Sequence, residues 1–306
     1  MSAAIYVLGE ALMDCVAQPD GSLRPHIGGS PYNLARAAAL RGATVHFLNP
    51  FSTDRFGLQM TAQLAQDGVA RVLPPSDLPS SLAVVQVTNG QPSYGFYREG
   101  IADRDYAVQQ VLAELAKVSP GVLHTGSLML VPPEHGKVLE VLTGAKALGW
   151  TISVDVNLRP KLAKSLPFYI AAVQQVVALV DWLKASDEDL ELLGFVAPTR
   201  STAGEIAQHF LNQGASRVAL TFGAEGAWLV ADGVNAEESV PAVTVVDTVG
   251  AGDTFWGNCL ADWTKQPASA ASRVATTLHL AMAAAAINCT RAGCQPPTAS
   301  ELEQLG

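Results

Sequence analysis

Along most of the chain, short runs of apolar residues alternate with longer segments whose apolar positions recur at helical spacing. Residues 4–8, 44–48, 122–124, 151–156, 182–185 and 217–221 are runs of the first kind and predict strands. Residues 32–40, 134–148 and 206–212 are of the second kind and predict helices, the first closed by Gly42. Regular strand–helix alternation predicts an α/β sandwich, three layers with a mostly parallel central sheet between helices. Two regions break the rhythm. Residues 14–27 and 82–97 alternate apolar and polar positions around the turn signals Pro19-Asp20-Gly21 and Asn89-Gly90. They predict hairpins outside the main sheet, a small β lid or an interface. Without repeats, linkers or low-complexity stretches, residues 1–306 are expected to form one domain with that lid.

Composition sharpens this picture. Of 306 residues, 49% are hydrophobic and 15% charged, which suits one large buried core. The 28 acidic against 19 basic residues give a formal charge of −9, so nucleic acid and anionic membrane surfaces are poor partners. Cys15, Cys259, Cys289 and Cys294 lack metal-ligand spacing. The first residues read as a strand rather than a secretory signal, and the most apolar stretch, 278–287, is too short to span a bilayer. A reducing cytoplasm is the expected location.

In open parallel sheets, ligands bind beyond the carboxyl ends of the strands. Glu10, Asp14, Asn157, Arg159, Ser186 and Gly223 all fall where an apolar run has just ended. The most informative segment is Val246-Asp247-Thr248-Val249-Gly250-Ala251-Gly252-Asp253-Thr254-Phe255. A β-rich stretch, 242–246, enters a turn of small residues, and an amphipathic helix over 255–263 leaves it. Glycines there let backbone N–H groups converge, and the start of the helix favours an anion. A carboxylate beside a phosphate cradle is repelled by it, which makes sense if Asp253 takes a proton from an attacking hydroxyl. The competing reading is a simple helix cap on a tight turn.

That segment resembles the DTxGAGD signature of the ribokinase-like (phosphofructokinase-B type) carbohydrate kinases. A second stretch, Gly28-Gly29-Ser30-Pro31-Tyr32-Asn33 followed by Ala35 and three alanines from 37, resembles the family's GGxxxN signature. The lysine-bearing GxxxxGK[ST] loop is absent from the sequence. The resemblance implies an ATP-dependent sugar kinase using Mg²⁺, with K⁺ as activator. It makes Asp253 the base and the N–H groups of Gly250, Ala251 and Gly252 the anion hole. Asp14, Gly28, Gly29 and Asn33 would hold sugar hydroxyls. Ser186 with Thr221, Gly223 and Gly226, the latter three matching a TxGxxG loop, would bind nucleotide, and Asn288 would lie near the adenine. Backbone carbonyls of Asp247, Val249, Asn288 and Gly293 match a monovalent-cation site.

The chain also departs from the family. The magnesium-organising NxxE appears as Ser186-Asp187-Glu188-Asp189, so Asp189 would act on Mg²⁺ through water. Residues 49–57 keep Asp54 and Gly57 but lack the first glycines of the usual GxVGxDxFG.

Three features resemble bacterial fructokinases and imply a ketose. They are Gly95-Phe96-Tyr97-Arg98 with Ala102-Asp103-Arg104, Asp155-Val156-Asn157-Leu158-Arg159-Pro160, and Gly28-Gly29-Ser30-Pro31. Phe96, Arg98, Asn157 and Arg159 would therefore face the sugar, although Arg98 has Glu99 and Asp103 as alternative partners. A 2-keto-3-deoxygluconate kinase, whose substrate carboxylate could take Arg98 and Arg159 together, is the near alternative. Ribokinase is a further one, and a sugar sensor without turnover is the alternative of another class. Exposed apolar lid strands imply a homodimer through the lid.

Overall fold

The computed structural model describes residues 3–88, 91–266 and 270–304. The chain opens with β1 (Ile5–Val7), passes through β2 (Leu12–Ala17) and β3 (Leu23–Gly28), and enters α1 (Ser30–Leu40). β4 (Val45–Phe47), α2 (Arg55–Gln66) and β5 (Val69–Arg71) follow, then β6 (Ser81–Thr88) and β7 (Gln91–Tyr97). The second half runs α3 (Val108–Leu115), β8 (Val122–Gly126), α4 (Glu134–Ala147), β9 (Thr151–Asp155), α5 (Leu166–Val177), β10 (Trp182–Ser186) and α6 (Asp187–Leu192). It ends with α7 (Ala203–Asn212), β11 (Arg217–Thr221), β12 (Ala227–Ala231), β13 (Val234–Glu238), α8 (Ala251–Lys265), α9 (Ala270–Cys289) and α10 (Ala299–Glu303).

Among the described residues, nine strands form one sheet in the order β13-β12-β11-β10-β9-β8-β1-β4-β5. It is parallel from β11 to β5 and antiparallel at the β11–β12–β13 edge. Side chains alternate across it as a pleated strand requires. Tyr6 and Leu8 join the core on the face covered by α3, α4, α5 and α7, whereas Ile5 and Val7 join the core under α1, α2, α8 and α9. Sandwiched on both faces, the strands read as continuous apolar runs, which is why the sequence marks them so clearly.

Helix starts follow local chemistry. Asp54 caps α2 by accepting the Gly57 N–H at 2.8 Å, and it also takes the Ser80 N–H at 2.7 Å. Pro31 occupies the first turn of α1, where its missing N–H is not needed. α6 begins with a capping box between Ser186 and Asp189.

The two expected hairpins form outside the main sheet, and β2 pairs with β6 in parallel, joining them into one four-stranded sheet of order β3-β2-β6-β7. The Asn89-Gly90 turn lies outside the described residues. Residues 242–246 are no strand, because the sheet already ends at β13; instead Val246 N–H donates to the Cys289 carbonyl at 2.8 Å. The following helix starts at Ala251, placing Asp253 inside its first turn.

Candidate active site

Gly250 caps α8 with φ +74°, and a Cβ there would collide with the Cys294 Sγ. Both the left-handed conformation and the close thiol demand glycine at this position. The N–H groups of Gly252 and Asp253 lie in the first helical turn and have no intrahelical acceptor, so they face outward as anion donors. Ala251 differs from expectation: its N–H donates to the Thr248 carbonyl at 3.2 Å, closing the turn.

Asp253 is 7% exposed. Ser30 Oγ donates to its Oδ1 at 2.6 Å and Asn33 Nδ2 to its Oδ2 at 2.9 Å. Burial pushes the Asp253 pKa up, while the Ser30 and Asn33 hydrogen bonds, then Lys184 and Arg159, pull it down. A carboxylate made more basic by desolvation yet held by two donors is suited to proton transfer from a hydroxyl. Asn33 thus bridges the two expected roles: its amide holds Asp253, and its buried Oδ1 has no partner among the described residues.

The sugar side converges from three directions. Asp14, on β2 of the lid sheet, is half-buried, with its pKa pushed up to about 6 by burial against a lowering pull from Arg159. The charge of Arg159, in the loop after β9, acts on both Asp14 and Asp253. Its Nη1 donates to the Asn157 Oδ1 at 2.7 Å, and Asn157 sits at φ +38°. Gly28 leaves room for the Asp14 carboxylate, and Gly29 (φ +107°) turns the chain into α1.

Arg98 and Phe96 sit differently from a simple sugar-facing pair. Phe96 is half-buried and packs on the core beneath the lid. Arg98, 6% exposed, pairs with Asp103 at 3.3 Å and donates to Ser81 Oγ at 3.4 Å. Its charge also acts on Glu10, whose Oε1 accepts the Ser30 N–H at 3.3 Å. Arg98 therefore links the end of β7 to Ser81 at the start of β6 and to Asp103, while its Nε and Nη2 have no hydrogen-bond partner among the described residues. Burial pushes the Asp103 pKa up against the lowering pull of Arg98 and Arg104.

On the nucleotide side, Ser186 and Thr221 are register partners at the ends of β10 and β11. Gly223 (φ +49°) borders open space, as a ligand-facing loop should. Gly226 is structural: a Cβ there would strike the Glu238 carbonyl.

Asp189 and Asn288 are both committed to backbone groups. Both carboxylate oxygens of Asp189, 3% exposed, are engaged: Oδ1 accepts the Leu158 N–H at 2.6 Å and Oδ2 the Ser186 N–H at 2.8 Å. The short side chain closes the α6 capping box and clamps the loop after β9. No group of three or more His, Cys, Asp or Glu among the described residues is arranged to hold a metal directly. Asn288 is buried; its Nδ2 donates to the Val249 carbonyl at 2.8 Å and its Oδ1 accepts the Gln295 N–H at 2.8 Å. It bolts the end of α9 to the glycine turn and does not present its amide to an adenine. Asp247 adds a second tie, accepting Val249 N–H at 3.0 Å and Gly293 N–H at 2.8 Å. The four residues expected around a monovalent cation are thereby gathered at one place.

Sequence reasoning missed a buried polar stripe on the sheet face beneath α8. Trp256 Nε1 donates to Ser153 Oγ at 3.1 Å, and His124 Nδ1 meets the same hydroxyl at 3.0 Å. Lys184 Nζ lies 2.9 Å from both oxygens of Asp155. The signal was present: lysine and aspartate stand in strands otherwise buried on both faces.

Residues 2–301 match the pfkB family carbohydrate kinase family, and the chain belongs to that family. It is 34% identical to a fructokinase of Rhizobium leguminosarum bv. trifolii, over 84% of this chain and 78% of that protein. It is 30% identical to a fructokinase of Vibrio alginolyticus, over 97% of each. A crystal structure of fructokinase with bound ATP from Xylella fastidiosa superposes with a TM-score of 0.81 at 26% identity, covering 98% of this chain and 97% of that one.

Proposed function

We propose that this protein is an ATP-dependent fructokinase, forming fructose 6-phosphate and ADP. The observation that carries this reading is the Asp253 carboxylate, buried in the first turn of α8, hydrogen-bonded by Ser30 and Asn33 and flanked by outward N–H groups. The sugar hydroxyl gives its proton to Asp253 as its oxygen bonds to the γ-phosphorus. The bond to the β,γ-bridging oxygen breaks and ADP leaves. The N–H groups of Gly252 and Asp253 stabilise charge on the phosphoryl oxygens. Ser30 Oγ, now on Asp253 Oδ1, occupies a position of the kind the acceptor hydroxyl must take. Asp14 and Arg159 fix the sugar, and the residues at the ends of β10 and β11 receive the nucleotide. A magnesium ion bound with the nucleotide would neutralise phosphate charge, and potassium would brace the turn tied by Asp247 and Asn288.

Fructose is favoured by the likeness to two fructokinases and by the placement of Arg98. Arg98 already has Asp103 beside it as a carboxylate partner, which supports a neutral sugar over a sugar acid. The test is ADP release with Mg²⁺, K⁺ and ATP over hexoses, pentoses, nucleosides and sugar acids. D-Fructose should be fastest. Preference for 2-keto-3-deoxygluconate would replace the substrate while leaving the kinase, and no turnover with any sugar would favour a sensor.

A further inference from the structure

Lys184 lies in the middle of β10 and is 4% exposed. Its Nζ is 2.9 Å from both Asp155 oxygens and 3.2 Å from where a Cβ on Gly252 would stand. The ammonium therefore rests against the second residue of the helix that begins at the anion turn. A buried ion pair is rarely the cheapest way to fill space, since a well-packed apolar pair does as well or better. Pairing also does not balance the local charge. Asp189 and Asp253 act on Lys184 as well as Asp155, so three carboxylates face Lys184 and, at Asp253, Arg159, leaving excess negative charge just where a polyphosphate must arrive.

We propose that Lys184 is a positioning residue for phosphoryl transfer, locked in place by Asp155, whose fixed charge against Gly252 offsets Asp253 and the incoming phosphates. The inference rests on the reading of Asp253 as the base. The polar groups facing Asp253 come from every side. Ser30 and Asn33 belong to α1, Lys184 to β10, and Arg159 to the loop after β9. Asp155 faces it from β9, and the Cys294 thiol from the loop after α9. Burial pushes Asp155 up to about 7 even against the pull of Lys184. Without the ammonium, Asp253 would hold its proton to higher pH and the base would be lost on the acid side.

The test compares K184M, K184R and the double exchange D155N/K184M with the wild type, reading kcat, KM, the pH profile of kcat/KM and ADP affinity by calorimetry. The double exchange removes a matched pair, so its circular dichroism and melting temperature should stay near wild type. Its kcat should fall by ~100-fold or more, the order seen when one charge-stabilising donor is removed. Its acid limb should move to higher pH and its ADP affinity should weaken. K184R should keep the wild-type acid limb and recover most of the rate. A folded double variant with wild-type rate and acid limb overturns the proposal, as does a slowed one whose acid limb and ADP affinity are unchanged. If the double variant does not fold, K184R decides, and a displaced acid limb there overturns the proposal. D253N is measured alongside. Should it remain active, the base assignment fails, and the role of Lys184 at the anion turn is judged on ADP affinity alone.

Discussion

At Asp253, desolvation and hydrogen bonding pull in opposite directions, and the balance determines what the residue can do. Burial raises its pKa; donation from Ser30 and Asn33 keeps it poised as an acceptor. Exchange to asparagine keeps shape and capping but removes proton acceptance, so kcat of Asp253→Asn should drop ~10²–10⁴-fold. Sugar and nucleotide affinities by calorimetry should barely change. A simple helix cap would tolerate the exchange, because asparagine caps as well as aspartate. Asp14 gives a separate test by pH. Its pKa is pushed up to about 6, so it is charged above that value and neutral below. As the acceptor facing Arg159 and the sugar, it should let the sugar KM rise as pH falls through about 6. Asp14→Asn should raise KM above about pH 6, where the wild-type carboxylate is charged, and flatten that dependence, whereas an unaltered pH profile would remove Asp14 from the sugar site.

The elements around the turn explain why the motif works only in place. The cap of α8 at Gly250 must be glycine because the Cys294 thiol fills the space a Cβ would need, and Asn288 near the end of α9 holds the Val249 carbonyl. Replacing the buried Asn288 by alanine leaves that carbonyl and the Gln295 N–H unsatisfied, at about 1–3 kcal/mol. For Asn288→Ala we expect a lower melting temperature and a lower kcat. The ratio of ATP to GTP usage should not change, because the amide faces backbone rather than base. An altered ratio would restore the adenine contact. Asp189 teaches a similar lesson: in a capping box it serves α6 and the loop that carries Asn157 and Arg159.

For the whole molecule, the open question is what covers the lid. A four-stranded sheet, β3-β2-β6-β7, stands apart from the main sheet with β3 and β7 as its edges. Leu23 is 49% and Tyr97 64% exposed there. Small sheets with an apolar face are marginal alone, and open edges invite pairing. We therefore expect a homodimer that buries this lid, with two closed sites. Light scattering at micromolar concentration should give twice the chain mass. A monomer would leave the lid to close on its own.

Periodicity alone determined the α/β class and most parallel strands, because strands buried on both faces must be apolar throughout, as 217–221 shows by coinciding with β11. The glycine turn, Asp253 and Asn33 were legible because they fall in two short signatures that resemble a known family, whereas the hydrogen bonds of Ser30 and Asn33 to Asp253, more than 200 residues away, were not. Neighbours distant in sequence were not. Nothing within 182–186 says that Lys184 meets Gly252, nothing in Arg98 says that Asp103 will claim it, and nothing in Asn288 says that Val249 lies across from it. Local pattern fixes which elements form, since propensity and periodicity act over a few residues. Which buried charges meet is decided by packing, where one carboxylate or ammonium finds its partner only after the sheet and its helices have closed around both.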